Sequence, residues 1–324
     1  MKEQVVMCCP KCQSENVKKF GKDRNGNQRY RCRDCKKTFI EDRPRPLGSM
    51  RLDFAKAVYC LRMLLEGTSI RSCERLTGVN RNTLCDLILT VGERCKVFLA
   101  DHLNSLPVGD IQVDEVWSYV GKKERTKIIQ HDDNPERGDA YAYIGLERNT
   151  KLIVSWHLGK RSDDDTWEFA RELQKATVGR FHLSTDGYKP YCIAMPTTLG
   201  PRIDYAQIIK VFTNPPKEDQ RRYSPAQIVE IKRDDICGHP SKALTCTSHV
   251  ERSNLTVRMT CRRWTRLTNA FSKSWKHHEA AMALYIAFYD FVRPHMTLKT
   301  TPAVAAKLTD HRWTMEELLT AIAA

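Results

Sequence analysis

The stretch Ile111-Gln112-Val113-Asp114-Glu115-Val116-Trp117-Ser118-Tyr119-Val120 decides the fold. Its β-branched and aromatic residues predict a strand, and residues 140–146 and 152–158 have the same character, with turn or charged segments between them. Asp165 can cap a helix reaching about residue 178, residues 181–185 read as a further strand ending at Asp186-Gly187, and residues 205–212 as another. Three adjacent strands, a helix, a strand and more helices indicate a mixed α/β domain. Residues 213–248 carry prolines and charges and have no clear period.

Upstream, Leu106-Pro107-Val108-Gly109 marks a break. Before it, Phe54, Ala55, Val58, Leu61 and Leu65 recur at helical spacing, with Gly67 as a stop. Ser69 caps a short helix over 70–77, Gly78-Val79 make a turn, and Asn80 caps a longer helix in which Leu84, Leu87, Ile88, Val91, Cys95 and Phe98 repeat. This order is that of a helix-turn-helix, with a small helical bundle used for dimerisation as the alternative. Downstream, helices are expected over 249–267 and 274–292, the latter ending at Arg293-Pro294. Pro302 suits a helix's first turn, and Thr314-Met315-Glu316-Glu317 has capping-box spacing.

Residues 1–40 hold too little apolar material for a core without a metal. They carry Cys9-Pro10-Lys11-Cys12 and Cys32-Arg33-Asp34-Cys35, separated by 19 residues, with turn formers at Asn25-Gly26-Asn27 between. Two such pairs supply four thiolates to one structural Zn²⁺, and redox use of one pair is the alternative. Ten lysines and arginines, from Lys11 through Arg24 to Lys37, make this ribbon a basic patch suited to phosphates. Residues 41–49, with Pro44, Pro46 and Gly48, read as a linker. Cys237, His239, Cys246 and His249 form a second grouping, with a spacing that fits no metal-site pattern, and metal binding there is left open.

The 324 residues carry 53 Lys and Arg against 39 Asp and Glu, a net charge of +14, which points to a polyanionic partner. Residues 1–109 hold 21 basic and 12 acidic side chains, 110–250 hold 21 of each, and 251–324 hold 11 and 6, so the middle is balanced and the ends are basic. Thirteen cysteines are about 4% of the chain, too few for a disulfide scaffold, and no apolar run reaches the ~18 residues of a membrane span. A protein of the reducing cytosol is expected.

The balanced segment places acids at element ends: Asp114-Glu115 in the first strand, Asp186 after a later one, Glu251 opening a helix. Carboxylates from separate elements can hold two hard cations for phosphodiester chemistry; acids in such places are also ordinary turn formers and caps. On a helix starting near His249, Glu251, Leu255, Arg258 and Arg262 fall within about 40° of one direction, flanked by Asn254 and Arg266. That stripe would track a DNA backbone, or be a solvated face.

Several strings taken together resemble bacterial transposases of the insertion-sequence-one type. They are His249-Val250-Glu251-Arg252-Ser253-Asn254-Leu255-Thr256-Val257-Arg258, Arg266-Leu267-Thr268-Asn269-Ala270-Phe271-Ser272-Lys273-Ser274, Asp114-Glu115-Val116-Trp117, Ser184-Thr185-Asp186-Gly187-Tyr188, and Tyr289-Asp290-Phe291-Val292-Arg293-Pro294-His295 with Thr301-Pro302-Ala303. The resemblance covers nearly the whole chain. It implies a multidomain protein: a zinc ribbon and linker over 1–47, an all-α helix-turn-helix over 48–107, and an α/β RNase H-like catalytic domain over 108–324. It implies a DDE triad of Asp114, Asp186 and Glu251 binding two Mg²⁺ or Mn²⁺ ions. Burial on both faces of a central strand leaves Asp114 and Glu115 undecided, and the resemblance favours Asp114. The implied partners are double-stranded DNA at the element's terminal inverted repeats and in the target, with Arg81 and Asn82 reading bases, and a second copy of the chain in a synaptic complex. The implied place is the bacterial cytoplasm, at the nucleoid. Tyr188, Tyr191 and Tyr289 are then packing residues, not nucleophiles. A non-catalytic transcriptional regulator and a nuclease without joining activity are the rival readings.

Overall fold

The computed structural model describes residues 7–22, 28–40, 45–213, 227–266 and 268–323. Asn25-Gly26-Asn27, Arg24 and Pro44 of the sequence reading lie outside these residues. The chain divides into two compact units, Met1–Arg45 and Pro46–Ala324.

The first unit is an antiparallel sheet of β1 (Val17–Lys22), β2 (Gln28–Cys32) and β3 (Thr38–Ile40) in the order β1-β2-β3. Its strands bury almost nothing, and Cys9 and Cys32 are the buried residues among those described. Each cysteine pair ends in a left-handed residue, Gln13 with φ 61° and Lys36 with φ 58°, which turns the chain back around the sulfurs. Asp34 ties the two turns together, accepting from Asn16 Nδ2 at 3.1 Å and from the Ser14 hydroxyl.

The second unit opens with α1 (Phe54–Leu65), α2 (Ile70–Thr77) and α3 (Arg81–His102). Ser69 Oγ accepts from Ser72 N at 3.1 Å and Asn80 Oδ1 from Asn82 N at 2.9 Å, the two caps read from sequence. Gly78, at φ 68°, ends α2 in the left-handed conformation that the tight turn requires. The six α3 residues with helical repeat, Leu84 to Phe98, are all buried.

After the two-residue β4 (Leu106–Pro107) come β5 (Asp110–Val120), α4 (Glu124–Ile129), β6 (Gly138–Glu147), β7 (Ile153–Gly159) and α5 (Asp163–Ala176). They are followed by β8 (Thr177–Val178), β9 (Phe181–Asp186), α6 (Tyr191–Leu199), β10 (Ile203–Thr213) and β11 (Gln227–Cys237). The main sheet has the order β11-β10-β9-β5-β6-β7. β5, β6 and β7 form an antiparallel meander, while β9 lies parallel to β5 and β10 parallel to β9. β5 is therefore central, and its first four residues are buried on both faces. β4 pairs with β8 apart from this sheet.

The chain closes with α7 (Ser248–Thr260), α8 (Trp275–Ala287), a π-helical turn over Phe288–Val292, α9 (Pro302–Ala305) and α10 (Met315–Ala321). Both hydrogen bonds of the capping box at Thr314 and Glu317 are present. Every residue from Ala280 to Ala287 is buried, as expected for a helix enclosed by protein on all sides. One wall is α3: a Cβ on Gly92 would fall 2.1 Å from the Ala280 carbonyl oxygen, so the two backbones touch where only glycine fits. The helices α1 to α3 and the sheet share one core.

Three readings change. Ser162, not Asp165, caps α5, because Asp165 turns its carboxylate back onto Lys160 N at 2.9 Å and His157 Nε2 at 2.9 Å. The unassigned segment contains β11, an edge strand with few buried side chains and hence no apolar period, while residues 214–226 lie outside those described. The helix expected over 249–267 stops at Thr260. The Thr265 hydroxyl takes the Arg258 carbonyl at 2.7 Å, and the chain turns inward to bury Trp264 against the His278 ring, 4.3 Å between centroids. Arg262 and Arg266 therefore leave the helical face that carries Glu251 and Arg258.

His278 is buried between two hydroxyls, Ser118 Oγ at 2.7 Å from Nε2 and Ser272 Oγ at 2.8 Å from Nδ1. Burial, helped by the Arg263 charge, lowers its pKa from 6.5 to about 3. Between these values the unfolded chain binds a proton that the folded one does not, so this residue's stabilising effect is lost as pH falls below 6.5. Relative to wild type, His278→Asn should therefore be about 2 kcal/mol less costly at pH 5 than at pH 7. Urea unfolding of both proteins at the two pH values measures this, and an equal cost at both would reject a buried neutral imidazole.

Candidate active site

Asp114 and Glu115 are consecutive on β5 and so leave opposite faces of the sheet. Asp114 meets α7, accepting from Asn254 Nδ2 at 2.8 Å. Glu115 meets α6, accepting from the buried Tyr191 hydroxyl and pairing with Arg161 Nη2 at 3.3 Å. The parallel register Val113↔Thr185 brings Asp186, the last residue of β9, level with Asp114. There Asp186 Oδ1 accepts from Tyr188 N at 3.0 Å, which fixes the turn into α6. One carboxylate oxygen from each of Asp114, Glu115 and Asp186 lies within 4.8 Å of the others.

Glu251 is outside that close group but lines the same cavity of about 680 Å³ as Asp114, Asp186 and Arg161. It stands in the first turn of α7, accepts from Thr247 Oγ1 at 2.6 Å and pairs with Lys210 of β10. Four carboxylates from a central strand, its neighbour and a helix thus converge, with Arg161 and Lys210 as cationic partners. Arg161 also reaches Asp186 at 3.7 Å and lies 4.2 Å from the Tyr188 ring centroid.

Such crowding opposes ionisation. Burial, then the Asp186 charge, raises Asp114 to about 6, and the same causes raise Glu115 to about 8 against the pull of the Tyr191 hydrogen bond. Burial also raises Asp186. Asp114, Asp186 and Glu251 line one cavity with the kind of donor set that hard divalent cations select, and the ionised forms of such carboxylates are stabilised when a cation is bound.

The remaining residues of the sequence reading fall into two groups. Asn254 is buried and its amide is taken up by Asp114, whereas Arg258 is half-buried on the next turn, electrostatically between Asp114 and Arg266. Arg262 and Arg266 are exposed beyond the end of α7. Arg81 and Asn82 are exposed at the start of α3, with Arg81 Nε 3.6 Å from Glu74. Tyr188, Tyr191 and Tyr289 pack against other rings.

Cys237, His239, Cys246 and His249 do not gather among the described residues: Cys246 Sγ lies 3.0 Å from Ser248 Oγ, and His249 Nδ1 lies 3.2 Å from Lys151 Nζ. The ribbon cysteines do. Cys9, Cys12, Cys32 and Cys35 bring their sulfurs within 4.8 Å of one another, with Cys9 to Cys35 and Cys12 to Cys32 at 3.6 Å. Zn–S bonds of about 2.3 Å in a tetrahedron place sulfurs about 3.8 Å apart. The four thiols have the number, softness and spacing of a structural zinc site.

Arg161 and Lys210 carry no sequence signal, since one follows a strand in a turn and the other is a lone lysine in an apolar strand.

Comparison with known proteins adds the ribbon's kind. Residues 4–36 match a zinc-ribbon family described as the InsA N-terminal domain. No curated protein matches the chain in sequence. Among solved structures it is similar to a piggyBac transposase in a synaptic complex with hairpin DNA, at 9% identity and a TM-score of 0.38, over 87% of this chain and 73% of that one. Within its first unit, the chain carries an InsA-type zinc ribbon with its four cysteines gathered.

Proposed function

We propose that this chain is a DNA transposase of the insertion-sequence-one type, with an RNase H-like DDE domain over 108–324 that cuts element ends and joins them to target DNA. The observation that carries the reading is the convergence of Asp114, Asp186 and Glu251 on one cavity from three separate elements. The β5-β6-β7 meander with β9 and β10 added in parallel beside β5 supports it, since that topology places two of the acids on adjacent strand positions. The InsA-type ribbon supports the choice of family. The ribbon, over 1–47 with its linker, and a helix-turn-helix over 48–107 would locate the terminal inverted repeats, with Arg81 and Asn82 entering the groove from the start of α3.

In this reading Asp114, Asp186 and Glu251 hold two Mg²⁺ or Mn²⁺ ions. When bound, these supply Lewis-acid activation of the attacking oxygen and stabilisation of the leaving one in an in-line displacement. Asn254 orients Asp114 through its buried amide. Arg161, pinned on Tyr188, spreads its charge over Glu115 and Asp186 and holds the cluster together before cations arrive. Arg258, Arg262 and Arg266 contact phosphates of the strand entering the cavity. No side chain needs to form a covalent bond to DNA: Tyr191 and Tyr289 are buried, and the half-exposed Tyr188 ring carries Arg161.

The purified protein, Mg²⁺ or Mn²⁺, an element-end duplex and a target plasmid test this. Joined products are expected. Cut products alone would leave a nuclease, and retained binding with neither would leave a zinc-ribbon regulator.

A further inference from the structure

Beyond the carboxylates, β5 runs into a second cavity of about 640 Å³. Its walls include the rings of Trp117, Tyr119 and Phe271, and its charged lining among the described residues is Lys123, Arg263 and Arg266, with no acid among them. Trp117 and Tyr119 follow Glu115 two residues at a time, so all three leave the same face of β5 at intervals of about 7 Å. The loop bearing Phe271 is held alongside: Gly121 N donates to the Ser272 carbonyl at 2.8 Å, and Arg263 Nη1 to Ser272 Oγ at 3.1 Å. Phe271 thereby stacks on Tyr119, 4.9 Å between centroids at 29°, and Tyr119 lies 5.9 Å from Trp117. Exposed Lys123 places Nζ 5.7 Å and 5.9 Å from the Trp117 and Tyr119 centroids.

Half-exposed aromatic faces with cations about them match one ligand chemistry well. A nucleobase offers a flat face to the rings, and its phosphates offer charge to the cations. Polar edges are met by Thr268 and Asn269 of the lining. Paired bases inside a duplex cannot present that face, so the fit is to unpaired ones. Arg266 and Arg258 are electrostatic neighbours, and Arg258 is in turn a neighbour of Asp114, which makes a continuous cationic path from this groove to the carboxylates.

We propose that this groove binds unpaired nucleotides of a DNA strand that continues into the carboxylate cavity, with bases stacked on Trp117, Tyr119 and Phe271 and phosphates on Lys123, Arg263 and Arg266. A base entering displaces Lys123 from the ring faces onto the adjoining phosphate. Its place in a cutting reaction rests on the function proposed above; the binding itself does not.

The full-length protein, without divalent cation, is titrated with a labelled duplex carrying a single-stranded thymidine tail and with the same duplex blunt. The tail should tighten binding about tenfold, the worth of roughly one stacked base, and quench tryptophan fluorescence. Trp117→Ala should erase both effects while blunt-duplex affinity is kept. Exposed Lys123→Gln and the loop variant Phe271→Ala should each reduce the gain severalfold, which covers the case in which Trp117→Ala fails to fold. Equal wild-type affinity for tailed and blunt duplex, or a gain that survives all folded variants, overturns the proposal. No cleavage is read, so a protein that shows the tail effect and cuts nothing retains the groove and loses the catalytic reading.

Discussion

Asp114→Asn should abolish strand cleavage, by at least about 10³-fold, and at the same time make the metal-free protein harder to unfold at pH 8. The first effect follows from the proposed function, in which Asp114 would be a ligand of the two ions: several kcal/mol of charge stabilisation correspond to three or more decades in rate. The second follows from the electrostatics of the cluster. The folded protein holds Asp114 at about 6 and Glu115 at about 8, above their ordinary values of 3.8 and 4.5. Between those limits the native state binds protons that the unfolded state has released, so metal-free stability falls as pH rises from about 4 to about 8. Above that range the full penalty is present, and a neutral amide removes the Asp114 share, about 3 kcal/mol. At pH 4.5 the gain should shrink to about 1 kcal/mol, and in saturating Mg²⁺ it should reverse, because only the wild type then draws stability from the ions. Activity assays paired with urea unfolding at two pH values check this. A structural aspartate would behave the other way: its loss would destabilise the fold at pH 8, and that outcome would remove Asp114 from the catalytic set.

Glu115 sharpens the same argument. Sequence could not choose between two adjacent acids, because a central strand has no polar face by which to orient them. The structure puts both on the cluster from opposite sides of the sheet, where Tyr191 and Arg161 hold Glu115 in place. Sequence reading was strongest where one local rule acts alone. The caps at Ser69 and Asn80, the left-handed Gly78 and the capping box at Thr314 each depend on a few neighbouring atoms, and each is where its residues imply. It was weakest where tertiary contacts override the local pattern. The end of α7 is set by Trp264 finding His278, a residue 14 positions away in sequence, and not by any helix breaker. Arg161 and Lys210 acquire meaning only from the acids that folding brings to them. The string from Tyr289 to His295 has a similar lesson: Asp290 is buried and accepts from Ile153 N at 3.1 Å, and burial raises its pKa well above the ordinary value, so this acid fastens the last long helix to β7 and takes no part in the cavity.

Removing zinc should unfold the first unit and spare the second. Among the described residues of the first unit the buried ones are Cys9 and Cys32, so without a metal nothing apolar is left to oppose the entropy of ordering the chain, roughly 1 to 2 kcal/mol for each residue. Zinc bound by four thiolates supplies ~10 kcal/mol or more, and that energy is the folding energy of such a module. Pro46–Ala324 has its own continuous core, and its thermal transition should not move when a chelator is added. Trypsin offers a direct readout, because Lys18, Lys19, Arg29 and Arg31 lie in ribbon strands that protect them only while folded. A chelator, or Cys32→Ser, should open these sites within minutes while a core of the second unit survives. DNA affinity should fall together with its salt dependence, since the released cations no longer present a fixed basic face to phosphates. Resistance of the ribbon to both treatments would mean that the gathered sulfurs serve something other than structural zinc. Joint melting of the two units would mean that the ribbon is a structural part of the larger core, and that its loss would disable catalysis as well as recognition.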